Sequence, residues 1–403
     1  MTSKIPRPVW LLGWASLFTD AGTEMIYPLL PMYLARVLGA SATALGIIEG
    51  VAEAVNSLLR IVSGRLSDRK SRRRSLVILG YSLSSAARPF IALTTSWTHV
   101  LVIRAADRTG KGIRGAPRDA MLARLADASS RGRIFGFHRA MDHTGAVVGP
   151  IVATVFLFFL PGHYRTLFAL TAIPGALAVA TLFRVREPEQ EAEPTEPAER
   201  SLRVGAVAPR SGQAERLSSR LYVILAIIFL FSLGSSSDAF LLLRLTDALG
   251  SVTYVPLVWA GHHVVKASLS TWGGALSDRL GRRYVIAIGW GIYALIYLGF
   301  AIASRGSSFI VLFMVYGVHF ALAEGSEKAL VADLTPTNRQ GTAFGLYNGV
   351  LGVGALIASV TFGFVYDRFS PAAAFGMGAV LAGTAAVLLL LVRDPDSGSL
   401  FRL

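Results

Sequence analysis

Apolar residues along this chain come in runs of about 20, and a run of that length crosses a hydrocarbon core about 30 Å thick as a single helix. Twelve such runs are read at 9–37, 42–64, 75–96, 98–124, 134–160, 166–184, 220–246, 253–275, 284–303, 307–332, 341–366 and 371–392. Between the sixth and seventh, Glu187 to Arg220 alternates Glu, Pro, Ala, Arg and Ser, including Glu-Pro-Glu-Gln-Glu-Ala-Glu-Pro from Glu187 to Pro194. Such a stretch buries too little apolar surface to offset its ordering entropy, so it reads as a flexible tether. The expected organisation is a six-helix bundle over 1–185, a cytoplasmic linker over 186–219 and a second bundle over 220–403. The first run passes through Pro28 and Pro31 without a small-residue cleavage site, so no signal peptide is expected.

Composition agrees with a bilayer. The 403 residues are 53% hydrophobic and 16% charged, against about 25% charged in soluble domains. Twelve spans leave only short loops and one hydrophilic stretch, which excludes an enzyme domain outside the membrane and a nucleic-acid partner for the net charge of +14. Most of the 39 Lys and Arg fall at the amino terminus, in the even-to-odd loops, in the linker and at the carboxyl terminus. The positive-inside rule then places both termini in the cytoplasm. Arg69, Lys70, Arg72, Arg73 and Arg74 crowd one such loop, where anionic lipid headgroups are expected. The expected setting is a multi-pass, monomeric protein of a bacterial cytoplasmic membrane. Zero cysteines exclude disulfides and thiolate metal sites.

Charged side chains within spans change the picture further, because each costs at least about 2.5 to 3.5 kcal/mol at the bilayer centre and should face a cavity or a partner. On the fourth span Arg104, Arg108, Lys111, Arg114 and Arg118 fall within an arc of about 120° at 100° per residue, with Asp107 on the same face. Lys111 and Arg114 sit near mid-span. This surplus of cations suggests that some contact an anionic group on a substrate, and Lys266 and His262 on the eighth span are candidates to assist. Asp20 and Glu24 on the first span and Glu49 and Glu53 on the second can pair with the stripe. They can equally take up and release a coupling proton, since a buried carboxylate beside a cation can exchange one for the other as substrate arrives. Arg104 and Arg118 are the cations expected to pair with these carboxylates. On the fifth span His138 and Asp142, four apart, are weak candidates for metal ligation, although two ligands do not make a site; pairing with the arginine stripe is the alternative. Gly110-Lys111-Gly112 lacks the remainder of a phosphate-binding loop, and neither His-Glu-x-x-His nor Gly-x-Ser-x-Gly occurs, so neither ATP-driven chemistry nor a cofactor is expected.

The halves repeat. Gly64-Arg-Leu-Ser-Asp68-Arg-Lys-Ser-Arg72-Arg73 matches Gly274-Ala-Leu-Ser-Asp278-Arg-Leu-Gly-Arg282-Arg283 at an offset of 210 residues, and Gly132-x-x-Phe135-Gly136 matches Gly341-x-x-Phe344-Gly345 at 209. Duplicated six-span units related about the membrane normal are an architecture that can expose a midplane site alternately to each side.

At these residues the chain resembles the major facilitator superfamily, whose loop between spans two and three carries Gly-x-x-x-Asp-Arg-x-Gly-Arg followed by Arg or Lys. The second copy keeps the whole pattern; the first has Ser71 in place of glycine. The resemblance implies twelve transmembrane helices in two pseudo-symmetric bundles and a breakable latch at Gly64, Asp68 and Arg72, with Gly274, Asp278 and Arg282 as its counterpart. Gly145-Ala-Val-Val-Gly149-Pro150 resembles the fifth-span signature of the superfamily's antiporters, in which small residues four apart let helices approach closely. Tyr27-Pro28-Leu-Leu-Pro31 resembles the first-span Pro-x-x-Pro of drug exporters, and Arg104 sits where those exporters place an arginine, but Arg108 replaces their following glycine. The resemblance implies alternating access and export; together with the cation surplus on span 4 and the carboxylates of spans 1 and 2, the expectation is proton-coupled export of a small organic molecule bearing a negative group. Transport of a divalent metal or metal chelate is one alternative, and a receptor that kept a transporter fold is another.

Overall fold

The computed structural model describes residues 5–70, 73–125, 131–185, 217–336 and 339–392. Their regular structure is helical and forms twelve passes. In the first half, span 1 is Arg7–Glu24 continued by short turns at Tyr27–Leu29, Leu30–Met32 and Tyr33–Val37, and span 2 is Ala42–Lys70. Span 3 is Arg73–Ala87 with Arg88–Leu93, span 4 is Trp97–Arg124, span 5 is Arg131–Phe159, and span 6 is Tyr164–Leu170 with Ala172–Phe183. In the second half, span 7 is split into Ser219–Gly234 and Asp238–Leu249, and is followed by span 8, Val255–Leu280. Spans 9 to 12 are Arg282–Ile302, Gly306–Asp333, Gln340–Arg368 and Pro371–Leu391. An even number of passes brings both ends to one face, the terminal face.

The irregular passes have local causes. Pro28 and Pro31 supply no backbone N–H, so span 1 cannot continue an unbroken α-helical ladder and proceeds through tighter and wider turns. Span 7 is interrupted at Ser235 to Ser237, and the Ser237 hydroxyl accepts from the Ala239 amide to start the second piece.

Among the described residues, eight passes are long and apolar enough to cross a membrane by length and composition. The sequence reading expected twelve. Spans 2, 4 and 8 have the length, at 29, 28 and 26 residues, but their charged and polar faces lower their hydropathy. Together with the broken span 1, they supply much of the interior charge, joined by Arg88 of span 3, Asp142 of span 5 and Glu324, Glu327 and Lys328 of span 10.

Within the first half, span 1 packs on spans 5 and 6, and span 4 packs on spans 2 and 3; within the second, span 10 packs on spans 8 and 9, and span 12 on spans 7 and 9. Spans 2 and 11 carry the main contact between halves, and spans 5 and 8 meet as well. The antiparallel contact of spans 2 and 11 needs glycine: a Cβ at Gly46 would strike the Ser359 carbonyl, and one at Gly363 would strike the Ala42 carbonyl. The same face is fastened by Asp367 at the end of span 11, whose carboxylate accepts from the Ala42 amide at 2.9 Å and the Thr43 amide at 2.7 Å, capping span 2. Arg36 pairs with Asp247 at 3.0 Å beside it. Toward the terminal face the helices part, and a cavity of about 800 Å³ opens between Arg60, Gly64 and Asp119 on one side and Phe344, Gly345 and Asn348 on the other.

Candidate functional site

The first half holds its charge in a buried network. Arg104 donates to Glu49 at 2.7 Å and lies 3.8 Å from Asp107, which also pairs with Arg88 at 2.9 Å. Arg88 further donates to the Thr19 carbonyl at 2.9 Å, and the Arg104 guanidinium sits 5.4 Å from the Tyr27 ring centroid. All four charged side chains are at most 7% exposed. Their mutual pairing and hydrogen bonds offset the desolvation that burial imposes. Arg104 thus pairs with Glu49, as its phase on span 4 suggested. With Asp107, it belongs to the scaffold behind the cavity and not to its lining.

The next turns of span 4 face open space. A cavity of about 530 Å³ between the halves is lined by Glu24, Glu53, Arg108 and Lys111 from the first half and by Trp259 and Lys266 from the second. It adjoins one of about 260 Å³ reached by Asp20, Arg60, Lys111, Arg114, Asp142 and Lys328. Lys111 is exposed to this space, and among the described residues no carboxylate lies within 4.0 Å of Lys111 or Arg108. Arg114 is 4% exposed, stacks over Tyr81 at 4.2 Å and has a buried Nη1 without a hydrogen-bond partner. Arg118 turns instead to its own neighbour, Asp119, at 3.0 Å. The expected pairing of Arg118 with the carboxylates of spans 1 and 2 is therefore not the one formed; adjacency in the chain supplies a closer partner.

The carboxylates divide by surroundings. Glu53 accepts from Asn56 at 3.1 Å on its own helix, while Asp20 reaches the smaller cavity. Glu24 accepts from the Trp259 indole N–H at 2.7 Å, across the boundary between halves. Glu49 also receives the Ser237 hydroxyl at 3.4 Å from the break in span 7. In the second half Lys266 and Lys328 both pair with Glu324 at 3.1 Å, and Lys266 lies 4.1 Å from the Phe320 ring centroid. His262 is 1% exposed, stacked between Trp259 and Tyr316, with its Nδ1 3.3 Å from the Phe313 carbonyl. Aromatic packing and a backbone contact therefore account for His262, although its edge reaches the cavity wall.

His138 and Asp142 lie 3.7 Å apart, and Asp142 also accepts from the Ser16 hydroxyl. Among the described residues no group of three or more potential metal ligands gathers there or elsewhere. Asp142 bonds to span 1, where the sequence suggested an arginine partner. Gly145 and Gly149 lie directly under the Leu17 and Ala21 carbonyls of span 1, and Pro150 continues the same helix. The Asp68 side chain and residue 72 of the first loop motif lie outside the described residues. In the second copy Gly281 takes φ +94°, which glycine tolerates. Arg282 there pairs with Asp278 and, at 3.2 Å, with Asp333 of span 10. That pairing ties spans 8, 9 and 10 within the second half and does not cross between halves.

Among the partners that sequence reasoning missed are Arg88, Trp259 and Tyr347, the last of which donates its hydroxyl to Glu327 of span 10 at 3.0 Å. Arg88 stood out as a lone cation in an apolar span, but its partner on span 4 follows only from helix packing. Trp259 and Tyr347 carried no signal, because an aromatic residue with a polar edge looks like any other core residue until its N–H or O–H is seen to meet a carboxylate.

Comparison with known proteins gives this geometry a family. The Major Facilitator Superfamily family model matches residues 12–260 and 223–402. An uncharacterized MFS-type transporter of Methanocaldococcus jannaschii is 32% identical over 395 residues, covering 96% of both chains. A probable 4-methylmuconolactone transporter of Cupriavidus pinatubonensis is 26% identical over 372 residues, covering 85% of this chain and 81% of that one. The crystal structure of a POT family transporter in complex with a thioalcohol-conjugated peptide superposes with a TM-score of 0.78 at 12% identity, covering 96% of each chain.

Proposed function

Because the chain belongs to the major facilitator superfamily, we propose that it is a proton-coupled exporter of a small organic molecule bearing a negative group, working by alternating access from a bacterial cytoplasmic membrane with both termini inside. The carrying observation is the unpaired positive charge in the cavity between halves: Lys111 and Arg108 without a carboxylate within ion-pair distance among the described residues, and Arg114 with an unpartnered Nη1. An anion entering there supplies the missing acceptors, and charge-assisted hydrogen bonds of this kind are the stronger class. A purely scaffolding role needs these cations paired, as Arg88 and Arg104 are.

Coupling is assigned to Asp20 and Glu24, which share the cavity wall with Lys111. Antiport requires substrate and proton to occupy the cavity alternately, so Asp20 and Glu24 must hold their protons while it is empty of substrate and give them up as substrate binds. Export is assigned from the Gly145 to Pro150 signature seated against span 1. A small organic substrate is in keeping with the name of the Cupriavidus relative. Metal transport, suggested by the carboxylates and histidines of spans 1, 5 and 8, finds no group of three or more potential ligands among the described residues.

The test is reconstitution. Purified protein in proteoliposomes is presented with a panel of small organic anions and their uncharged analogues, with and without an imposed pH gradient. Movement of a charged member driven against its own gradient by protons moving the other way is expected, and should disappear in Glu24→Gln while substrate exchange persists. Transport indifferent to both the substrate's charge and the pH gradient would overturn the reading.

A further inference from the structure

The second half contains a carboxylate that the proposed cycle does not use. Glu327 of span 10 is 7% exposed, and each of its oxygens meets one neutral donor: Oε1 accepts from the Trp290 indole N–H at 2.9 Å, and Oε2 from the Tyr347 hydroxyl at 3.0 Å. Trp290 is fully buried and stacked on Phe231 with ring centroids 4.3 Å apart. Several charged and titratable groups on the packed elements are committed elsewhere, while His263 of span 8 has neither ring nitrogen hydrogen-bonded. On span 10 itself, Lys328 pairs with Glu324, and His319 Nδ1 meets the Gly289 carbonyl; from span 8, Lys266 pairs with Glu324; from span 7, Asp238 accepts from Tyr316. Span 9 contributes Trp290, and span 11 contributes Tyr347. Among the described residues no cation lies within 4.0 Å of Glu327. An unpaired carboxylate ion in an aromatic interior is costly.

The two donors differ in a way that matters. An indole N–H can only donate, whereas a phenol hydroxyl can donate or accept. With Glu327 ionised, both donate to it. With a proton on Oε2, the Trp290 bond stays and the Tyr347 bond reverses, so that Glu327 donates and the phenol oxygen accepts. Neither state requires a heavy atom to move. Tyr347 also lines the central cavity, whose lining does not include Glu327, so the residue that holds Glu327 Oε2 is the one in contact with that space.

We propose that Glu327 is a proton-binding site in the second half, filled and emptied from the central cavity through the Tyr347 hydroxyl. In filling, a proton from cavity water adds to the phenol oxygen as the phenol's own proton passes to Glu327 Oε2. In emptying, the same steps run in reverse, and one proton is exchanged with no other bond changed. The site stands whether or not Asp20 or Glu24 carries the coupling proton, because those groups lie in the other half.

Glu327→Gln tests it, since the amide oxygen can accept from Trp290 and the amide nitrogen can donate to Tyr347, which reproduces the protonated pattern without titration. The full-length protein in lipid is titrated and followed by infrared difference spectroscopy of the carboxylic acid C=O band and by counting protons bound. E327Q should keep the wild-type thermal stability, lose one titrating C=O band and bind one proton fewer per molecule. Tyr347→Phe should retain that band at a shifted frequency, because the acid hydrogen has lost its acceptor. An unchanged proton count and band set in E327Q, or an unshifted band in Y347F, would overturn the proposal. Bands from Asp20 and Glu24 persist in both variants, so failure here is distinguishable from failure of the coupling assignment.

Discussion

Trp259 on span 8 donates its indole N–H to Glu24 on span 1 at 2.7 Å, a bond between the halves that is joined by the Ser237 hydroxyl's bond to Glu49 at 3.4 Å. Tyr27 and Ser237 add a further contact at 3.4 Å. A hydrogen bond to an ionised group is worth about 1.5–3 kcal/mol, and less once that group is protonated. The bond therefore ties the protonation state of Glu24 to the separation of the halves: the ion braces them and the acid brace is weaker.

Trp259→Phe keeps the ring against Tyr27 and His262 and removes only the donor. Reporter cysteines, convenient in a chain with none of its own, can be placed on the face opposite the termini and their separation measured as pH is varied. The variant should populate the separated state about ten- to hundredfold more at alkaline pH and converge with the parent as pH falls. Identical distance distributions throughout the titration would show that the bond is incidental packing.

The cavity cations should govern affinity and leave stability alone. For a charged hit from the anion panel, Lys111→Gln or Arg114→Gln should raise the dissociation constant about ten- to hundredfold, the cost of one charge-assisted hydrogen bond. Uncharged analogues should bind variants and parent alike. Equal losses for charged and uncharged compounds would mean that the pair only holds helices together.

Arg104 should behave in the opposite way. Removing it as Arg104→Met leaves Glu49 buried without its cation and deprives Asp107 of one of two. Breaking a buried pair in this manner costs about 3–5 kcal/mol. Thermal unfolding of the purified protein should shift down sharply, while Lys111→Gln unfolds at the parent temperature; an unchanged midpoint for Arg104→Met would remove the scaffold assignment.

Opposite ends of spans 2 and 11 invite opposing substitutions. Asp367→Asn weakens the cap on span 2, worth about 0.5–2 kcal/mol, and should raise the population opened on that face. Asp68→Asn, at the loop motif that the family resemblance marks as a latch, should favour the alternative opening toward the terminal face. The paired-cysteine distances report both; a shift of the same sign in the two variants would contradict opposed latches.

Much of this architecture is legible in the chain alone. Run length gives the number of passes, because a fixed hydrocarbon thickness demands about 20 residues per crossing whatever packs beside them. Helical phase puts Arg108, Lys111 and Arg114 on one face, because that depends only on spacing along span 4. Resemblance over the repeated Gly274 to Arg283 motif and the Gly145 to Pro150 signature gives the family. Tertiary structure decides which of these charges are already satisfied. Arg104 and Lys111 belong to the same stripe, yet one is locked to Glu49 and the other faces open space, because only the packing of span 2 on span 4 brings a carboxylate to the first. The same holds for Glu24 and Glu327, whose partners are indole and phenol groups from distant spans. Hydrogen-bond donors at the edge of an aromatic ring leave no periodic trace in sequence, and only their placement within about 3 Å of an acceptor makes them part of a site.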